Sequence, residues 1–332
     1  MKKESLKKIM SCEIISKELD LVEEKLKSSV SSKDKFISGI AKYLFATKGK
    51  RMRPSLLLLS YLAASAQKAK HKYPLDDVIS IAVVIEMLHT ASLIHDDVID
   101  SSGLRRGAET VNSKWGNKIS TLMGDYLYSI AASIMSDIGN NEILKIVTGA
   151  TGRMCEGEIK QVYDAFNPDI SERKYINIIT GKTASLFGVS CEAGAILAGG
   201  NQNNQNLLRD FGVNLGISFQ IIDDILDIVS ENGDTGKPVG SDLKEGKFTL
   251  PYIYTFRLAD NRDKKIIIDT IIHNNGFKKA KDILNEYKAI EYARKKALSY
   301  KEAAKNMLKN IPDSSAKEEL IKIADFVVMR TN

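Results

Sequence analysis

Ile94-His-Asp-Asp-Val-Ile-Asp100 sets three carboxylates into an otherwise apolar run, and Phe219-Gln-Ile-Ile-Asp-Asp-Ile-Leu-Asp227 repeats the Asp-Asp-x-x-Asp pattern more than a hundred residues later. On a helix, residues i and i+4 share a face about 6 Å apart along the axis. Asp96 therefore projects with Asp100, and Asp223 with Asp227, while Asp97 and Asp224 flank those pairs. One such pattern alone is most often a solvated surface feature. Both copies here replace part of an apolar face built from Leu93, Ile94, Val98 and Ile99, or from Ile221, Ile222, Ile225, Leu226 and Ile228. Carboxylates so placed cannot all ionise unpaired without a large electrostatic cost, so a cation belongs between them. With oxygen donors and no Cys or His at ligand spacing, that cation is Mg2+, which keeps several waters and bridges carboxylates to substrate phosphates. The two stretches predict a diphosphate held by several Mg2+ ions between two carboxylate-lined helices.

The rest of the chain bounds the fold. Its 332 residues, 43% of them hydrophobic, can bury a large core. There are only six prolines, and the proline-free spans 75–167 and 169–237 carry apolar residues at i, i+3, i+4 spacing, which predicts an all-α protein. A net charge of +6 with 27% charged residues does not call for nucleic acid. Cys12, Cys155 and Cys191 lie far apart with no C-x-x-C, which suits a reducing cytosol and argues against disulfides and zinc. Met1-Lys-Lys-Glu-Ser-Leu-Lys-Lys8 leads into no apolar core of signal-peptide length. The run Pro54 to Ala66 reads as the most apolar and falls short of the roughly 18 residues of a membrane span. The expectation is a cytoplasmic protein without a transmembrane segment.

Helices are predicted over Glu13–Ser32, Phe36–Phe45, Ser55–Ala66, Leu75–Ile99, Trp115–Ser136, Glu142–Tyr163, Tyr175–Ala198, Leu207–Val229 and most of 263–332. Lys50 and Arg53 share a face where the third of these begins. They either grip an anion there or form a solvated or nucleic-acid-binding basic cluster. His89 lies seven residues before Asp96 on nearly the same face, as a ligand or as a hydrogen-bonded core residue. In the turn Ser101–Gly107, Arg105 and Arg106 either salt-bridge the carboxylates or wall a diphosphate site. Gly181-Lys-Thr-Ala-Ser185 lacks the upstream glycine and the strand of a P-loop. Gly199–Asn206 reads as a polar loop, and Gly233–Gly246, with Asp234, Lys237, Asp242 and Lys244, as a mobile loop able to fold over a charged ligand. There is no solenoid repeat, and the doubled aspartate pattern hints at two pseudo-symmetric helical halves.

Six motifs stand in a fixed order: Gly49-Lys-Arg-Met-Arg-Pro54, Glu86 to Asp100, Leu104-Arg-Arg-Gly107, Gly181-Lys-Thr-Ala184, Phe219 to Asp227, and Gly236 to Lys247. With them the sequence resembles the trans-polyprenyl diphosphate synthases from about Lys48 to Arg330. Within that family it resembles the bacterial long-chain octaprenyl and heptaprenyl diphosphate synthases that make the side chains of respiratory quinones. One departure is Lys48, where the family commonly has a second glycine.

The resemblance implies a single synthase domain over 1–332, an all-α bundle around a deep central cavity (the isoprenoid synthase fold), in a homodimer or in a heterodimer with a regulatory subunit. It implies Mg2+, three per active site, held by Asp96, Asp97, Asp100, Asp223, Asp224 and Asp227 on an allylic diphosphate, helped by Arg105, Lys182, Lys237 and Lys247. Lys50, Arg53, His89 and Arg106 would bind isopentenyl diphosphate, and Thr183 and Gln220 would line the space where the allylic cation forms. Ala91 and Ser92 are small where short-chain members carry aromatic rings, so the tail would pass Leu88 toward Ile85, with Met135 or Tyr128 as its floor. The product would be a long-chain all-trans polyprenyl diphosphate of six or more isoprene units. The alternatives are a geranylgeranyl diphosphate synthase or the catalytic subunit of a heterodimeric synthase. A terpene cyclase would replace the second cluster, a non-catalytic subunit would lose both, and a nucleic-acid binder would interleave aromatics among its basic residues.

Overall fold

The structure is a computed structural model and describes residues 13–46, 49–65, 73–105, 107–230, 240–273 and 275–330. Arg106, Lys237, Asp234, Lys48 and Cys12, all singled out above, lie outside the described residues. The described helices are α1 Ser16–Ser29, α2 Lys35–Ala46, α3 Met52–Ser65, α4 Leu75–Ile99, α5 Val111–Trp115, α6 Asn117–Ile138, α7 Asn141–Tyr163 and α8 Glu172–Ile179. A π turn at Thr180–Ala184 follows, then α9 Ser185–Leu197, α10 Gln202–Val229, α11 Ser241–Lys244 and α12 Leu250–Leu258. The chain ends in α13 Asn261–His273, α14 Phe277–Glu286, α15 Ala289–Leu308 and α16 Ser315–Met329.

Local chemistry sets the ends of the two helices that carry the clusters. Pro74 fixes the approach to α4, and Asp76 and Asp77 in its first turn favour the positive end of the helix dipole. That helix stops at the first cluster, where Ser101 takes φ +50° and Ser102 N donates to the Asp97 carbonyl at 2.9 Å. The start of α10 departs from the sequence reading. Asn201 accepts a hydrogen bond from Asn204 N at 2.9 Å, so most of the polar stretch expected as a loop is the capped first turn of a helix.

Tyr175–Ala198 is not one helix but α8, the π turn and α9. A Cβ on Gly157 would lie 2.5 Å from Lys182 N, and one on Gly181 2.8 Å from the Arg153 carbonyl oxygen, so the backbones of α7 and the π turn touch. The extra residue of a π turn is a device found at functional sites, and here it carries Lys182 and Thr183. The expected turn at Ser101–Gly107 contains a small ribbon, β1 Leu104–Arg105 against β2 Ala108–Glu109.

Buried residues form two apolar clusters. The first takes side chains from α3, α4, α6, α7 and α9, and the second from α8 and α12 to α15. The long helix α10 joins them: Leu208, Phe211 and Leu215 enter the first, and Ile221, Ile222, Ile225 and Ile228 the second. Helix α4 packs on α6, α1 and α3, and α10 packs on α9 and α15. By length and composition α4 is apolar enough to cross a membrane, with a mean hydropathy of 1.8, yet 72% of that window is buried inside the protein. It displaces Pro54–Ala66 as the most apolar run. Each faces protein on nearly every side, which removes the alternation a surface helix shows.

Candidate active site

Both aspartate clusters sit at the C-terminal ends of their helices, where the helix dipole disfavours negative charge, so each acid needs a donor. In the first cluster all three meet cations. Arg105 Nε donates to Asp97 at 2.8 and 3.0 Å, Lys182 Nζ stands 3.7 Å from Asp96, and Lys247 Nζ donates to Asp100 at 3.0 Å. Burial works against the Lys247 charge, but Asp100, Glu245 and Asp242 outweigh it and raise its pKa.

The second cluster is held mainly by neutral donors. Among the described residues only Asp223 has a cation, Arg330, at 2.7 Å, and that guanidinium also lies over the Phe219 ring. Asp224 accepts from the Tyr175 hydroxyl at 2.5 Å and from Gln220 Nε2 at 2.8 Å. Asp227 accepts from Ser241 Oγ at 2.8 Å and from the backbone N–H groups of Ser241 and Asp242 at 3.2 and 3.1 Å. Burial, with Asp223 and Asp227 close by, pushes the Asp224 carboxyl up to about 7 despite those hydrogen bonds.

In each cluster the middle acid is the buried one: Asp97 is 5% and Asp224 4% exposed, while the outer two are half-buried. Asp97 and Asp224, which the resemblance counts among the six metal-holding acids, are therefore turned into protein in this structure. A step of one residue turns a helical side chain about 100°, which takes Asp97 into the Arg105 fork and Asp224 into the Tyr175–Gln220 pocket.

A cavity of about 460 Å³ brings the two clusters together. Asp96 and Asp223 both line it, with Lys50, Arg53, His89, Ser92, Arg105, Lys182, Thr183 and Gln220. Asp100, Asp227 and Lys247 are off its wall but joined to one another, because the segment from Gly240 to Lys247 donates to Asp227 at one end and to Asp100 at the other. A second chain of contacts runs from the π turn to the second cluster: Thr183 Oγ1 donates to Gln220 Oε1 at 2.7 Å, and Gln220 donates in turn to Asp224. A separate hollow of about 370 Å³, lined by Arg153, Glu192 and Arg209 among others, receives none of the predicted site residues.

The tail side differs from the sequence reading. Ser92 lines the cavity, but Ala91 is fully buried and Met135 is 5% exposed, and neither is on the wall. Leu88 and Ile85 are packed in the first core cluster. The apolar wall includes Met52, Leu93, Ile99, Met154, Ile159 and Phe219, together with Tyr128, one of the two expected floor residues, so the cavity follows α4 from Glu86 to Ile99 and is shared with α6 and α7.

Several residues were not visible from sequence spacing. On α7, Glu158 pairs with Lys182, and Gln161 accepts from Lys182 Nζ at 2.7 Å, so these two aim the lysine. Burial and nearby Asp96 raise the Glu158 pKa even against Lys182. Their one sequence signal is i, i+3 polar spacing immediately after Gly157. Tyr175, Arg330 and Arg51 gave none.

Among the described residues no three acidic, His or Cys side chains converge into a ready-made metal cage. The donors that do reach the cavity fit Mg2+ all the same: carboxylate oxygens on opposite sides, which suit an ion that draws its other ligands from water and phosphate. Asp96 and Asp223 are the carboxylates on the cavity wall that would hold the ion, with Asp100 and Asp227 four residues on from each.

The polyprenyl synthetase family model matches residues 34–290. The octaprenyl diphosphate synthase of Haemophilus influenzae is 35% identical over 338 residues, 99% of each chain. Heptaprenyl diphosphate synthase component 2 of Bacillus subtilis is 34% identical, covering 97% of this chain and 90% of its own. The crystal structure of a polyprenyl synthase from Caulobacter crescentus, complexed with calcium and isoprenyl diphosphate, superposes with a TM-score of 0.90 at 31% identity over 98% of each chain. On fold, motif order and full-length similarity together, the chain is a prenyltransferase and belongs to the polyprenyl synthetase family.

Proposed function

We propose that the chain condenses an allylic diphosphate, such as farnesyl diphosphate, with successive isopentenyl diphosphates to give a long-chain all-trans polyprenyl diphosphate. The observation that carries this is one cavity with Asp96 and Asp223 on its walls, Lys50, Arg53 and His89 beside them, and Ser92 leaving room for a tail. Arg105, Lys182 and Lys247, with Lys237, bind the allylic diphosphate, and Lys50, Arg53 and His89, with Arg106, bind isopentenyl diphosphate. Three Mg2+ ions held by Asp96, Asp100, Asp223 and Asp227 supply the positive charge that a departing diphosphate needs.

The allylic C–O bond breaks with its electron pair leaving on diphosphate oxygen, where fixed cations stabilise the charge without a proton donor. The double bond of isopentenyl diphosphate then supplies the pair for the new C–C bond, and a proton passes to the released diphosphate. Hydrogen bonding from Thr183 through Gln220 to Asp224 fixes the direction of the Gln220 amide beside the allylic carbon.

Purified protein given farnesyl and isopentenyl diphosphates with Mg2+ yields products of six or more isoprene units by mass analysis. A geranylgeranyl product alone would contradict the long-chain reading. Ser92→Phe shortens the product and Tyr128→Ala lengthens it, whereas Met135→Ala, off the cavity wall, leaves it unchanged.

Similarity to a heptaprenyl synthase component supports a second reading, as the catalytic subunit of a two-component enzyme. Activity of the chain expressed alone separates the two. An exposed apolar stripe on α6 and α7, with Leu122 62%, Ile159 68%, Val162 51% and Tyr163 83% exposed, supports a homodimer, which light scattering after gel filtration checks. Among the described residues Cys155 and Cys191 are free thiols, which suits the reducing cytoplasm in which we place the reaction.

A further inference from the structure

Between Lys50 and Arg53, which line the cavity together with Glu86, Arg51 stays off the wall. Arg51 is 9% exposed and has φ +46°, a backbone conformation that residues with a Cβ seldom adopt. Its guanidinium spans two carboxylates from different helices. Nε donates to Glu23 Oε1 and Nη2 to Glu23 Oε2 at 3.2 Å, on α1, while Nη1 donates to Glu86 Oε1 at 2.6 Å, on α4. Both acids are buried, Glu23 at 8% and Glu86 at 5% exposed. At its other end the Arg51 carbonyl accepts from Ser55 N and Ser55 Oγ, each at 2.9 Å, in the first turn of α3.

The residue is thus clamped through both its backbone and its side chain. One buried cation between two buried anions leaves a net negative charge behind Lys50 and Arg53, which offsets the repulsion between those two and any further cation beside them. A planar guanidinium hydrogen-bonded on three nitrogens admits one orientation, unlike an ammonium.

We propose that Arg51 is a positioning residue for the isopentenyl-diphosphate half of the site: through Glu23 and Glu86 it fixes the turn that aims Lys50 and Arg53 into the cavity. Helix α1, which precedes the residues matched by the family model, becomes part of the scaffold of the active site by this link. The proposal rests on placing isopentenyl diphosphate at Lys50 and Arg53.

The test is steady-state kinetics of Arg51→Lys and Glu23→Gln, varying each substrate with the other saturating. Misplacing a binding group by about 1 Å costs on the order of 10- to 100-fold, so the KM for isopentenyl diphosphate rises by that factor in both variants. The KM for the allylic substrate and the thermal midpoint stay close to those of the parent chain. Unchanged KM values, equal rises in both, or loss of the helical circular dichroism signal in both variants would overturn the proposal and leave the triad a folding element only. Lys50→Ala distinguishes the two levels. If it fails to raise the isopentenyl KM, the binding corner itself is misassigned; if it raises that KM while Arg51→Lys does not, only the positioning role falls.

Discussion

Among the described residues, Asp96, Asp97 and Asp100 each face a protein cation, Lys182, Arg105 and Lys247, whereas of Asp223, Asp224 and Asp227 only Asp223 does. The sequence motif is the same in both, so the difference comes entirely from what the fold packs against each helix end. On α4 each carboxylate meets a fixed cation, although Lys182 is shared with Glu158 and Lys247 with Glu245. On α10 two of them rest on hydroxyl, amide and backbone donors, which solvate a carboxylate without neutralising it. Among the described residues the α10 carboxylates therefore have fewer protein cations than those on α4.

The largest effect expected from this comparison is on catalysis. Asp96→Asn and Asp223→Asn each remove a carboxylate from the cavity wall and lower kcat/KM about 10³-fold, whereas Asp97→Asn, already enclosed by Arg105, loses far less. Equal losses at Asp96 and Asp97 would erase the distinction between outer and middle acids.

Stability sharpens the contrast next. Arg105→Gln strands the buried Asp97 charge and costs about 3 kcal/mol, while Tyr175→Phe removes one neutral donor from Asp224 and costs about 1 to 2 kcal/mol. Chemical denaturation of the metal-free protein at neutral pH measures both. A reversed order would show that the α10 cluster leans on its neutral donors more than the packing implies.

The smallest effect is in pH. The folded-state pKa of Asp224, near 7, lies above the ordinary carboxylate value of about 4. The folded chain therefore holds an extra proton, and the stability this contributes is full below pH about 4 and lost as pH rises to about 7. In chelator the melting temperature of the parent protein falls across that window, and Asp224→Asn flattens the fall. A parallel decline in both would exclude Asp224 as the group responsible.

The helices and the aspartate pairs were legible because they rest on local periodicity: i, i+4 spacing within apolar runs fixes both where a helix lies and which acids share a face. Arg105, eight residues from Asp97, was legible for the same reason of proximity. The partners of Asp100, Asp223 and Asp224 come from Lys247, Arg330 and Tyr175, distant in sequence; Lys247 was reached through its motif, while nothing in the spacing of Arg330 or Tyr175 marks them. The course of the cavity along α4 was legible because one helix can be traced residue by residue, whereas Ala91 and Met135 lie off a wall shared by α4, α6 and α7, which depends on how three helices cross. At Asn201 a string of polar residues hid a capped helix, since only the first turn was unpatterned.

The central claim is that Asp96 and Asp223 act on one diphosphate across a shared cavity. Its most direct test is a double-mutant cycle: calorimetric binding of inorganic diphosphate in Mg2+ to the parent chain, Asp96→Asn, Asp223→Asn and the double variant. A shared site predicts a coupling energy of about 1 kcal/mol or more, the double variant losing clearly less than the sum of the single losses. Losses that add to within about 0.5 kcal/mol would mean that the two clusters bind independently, and would contradict the account.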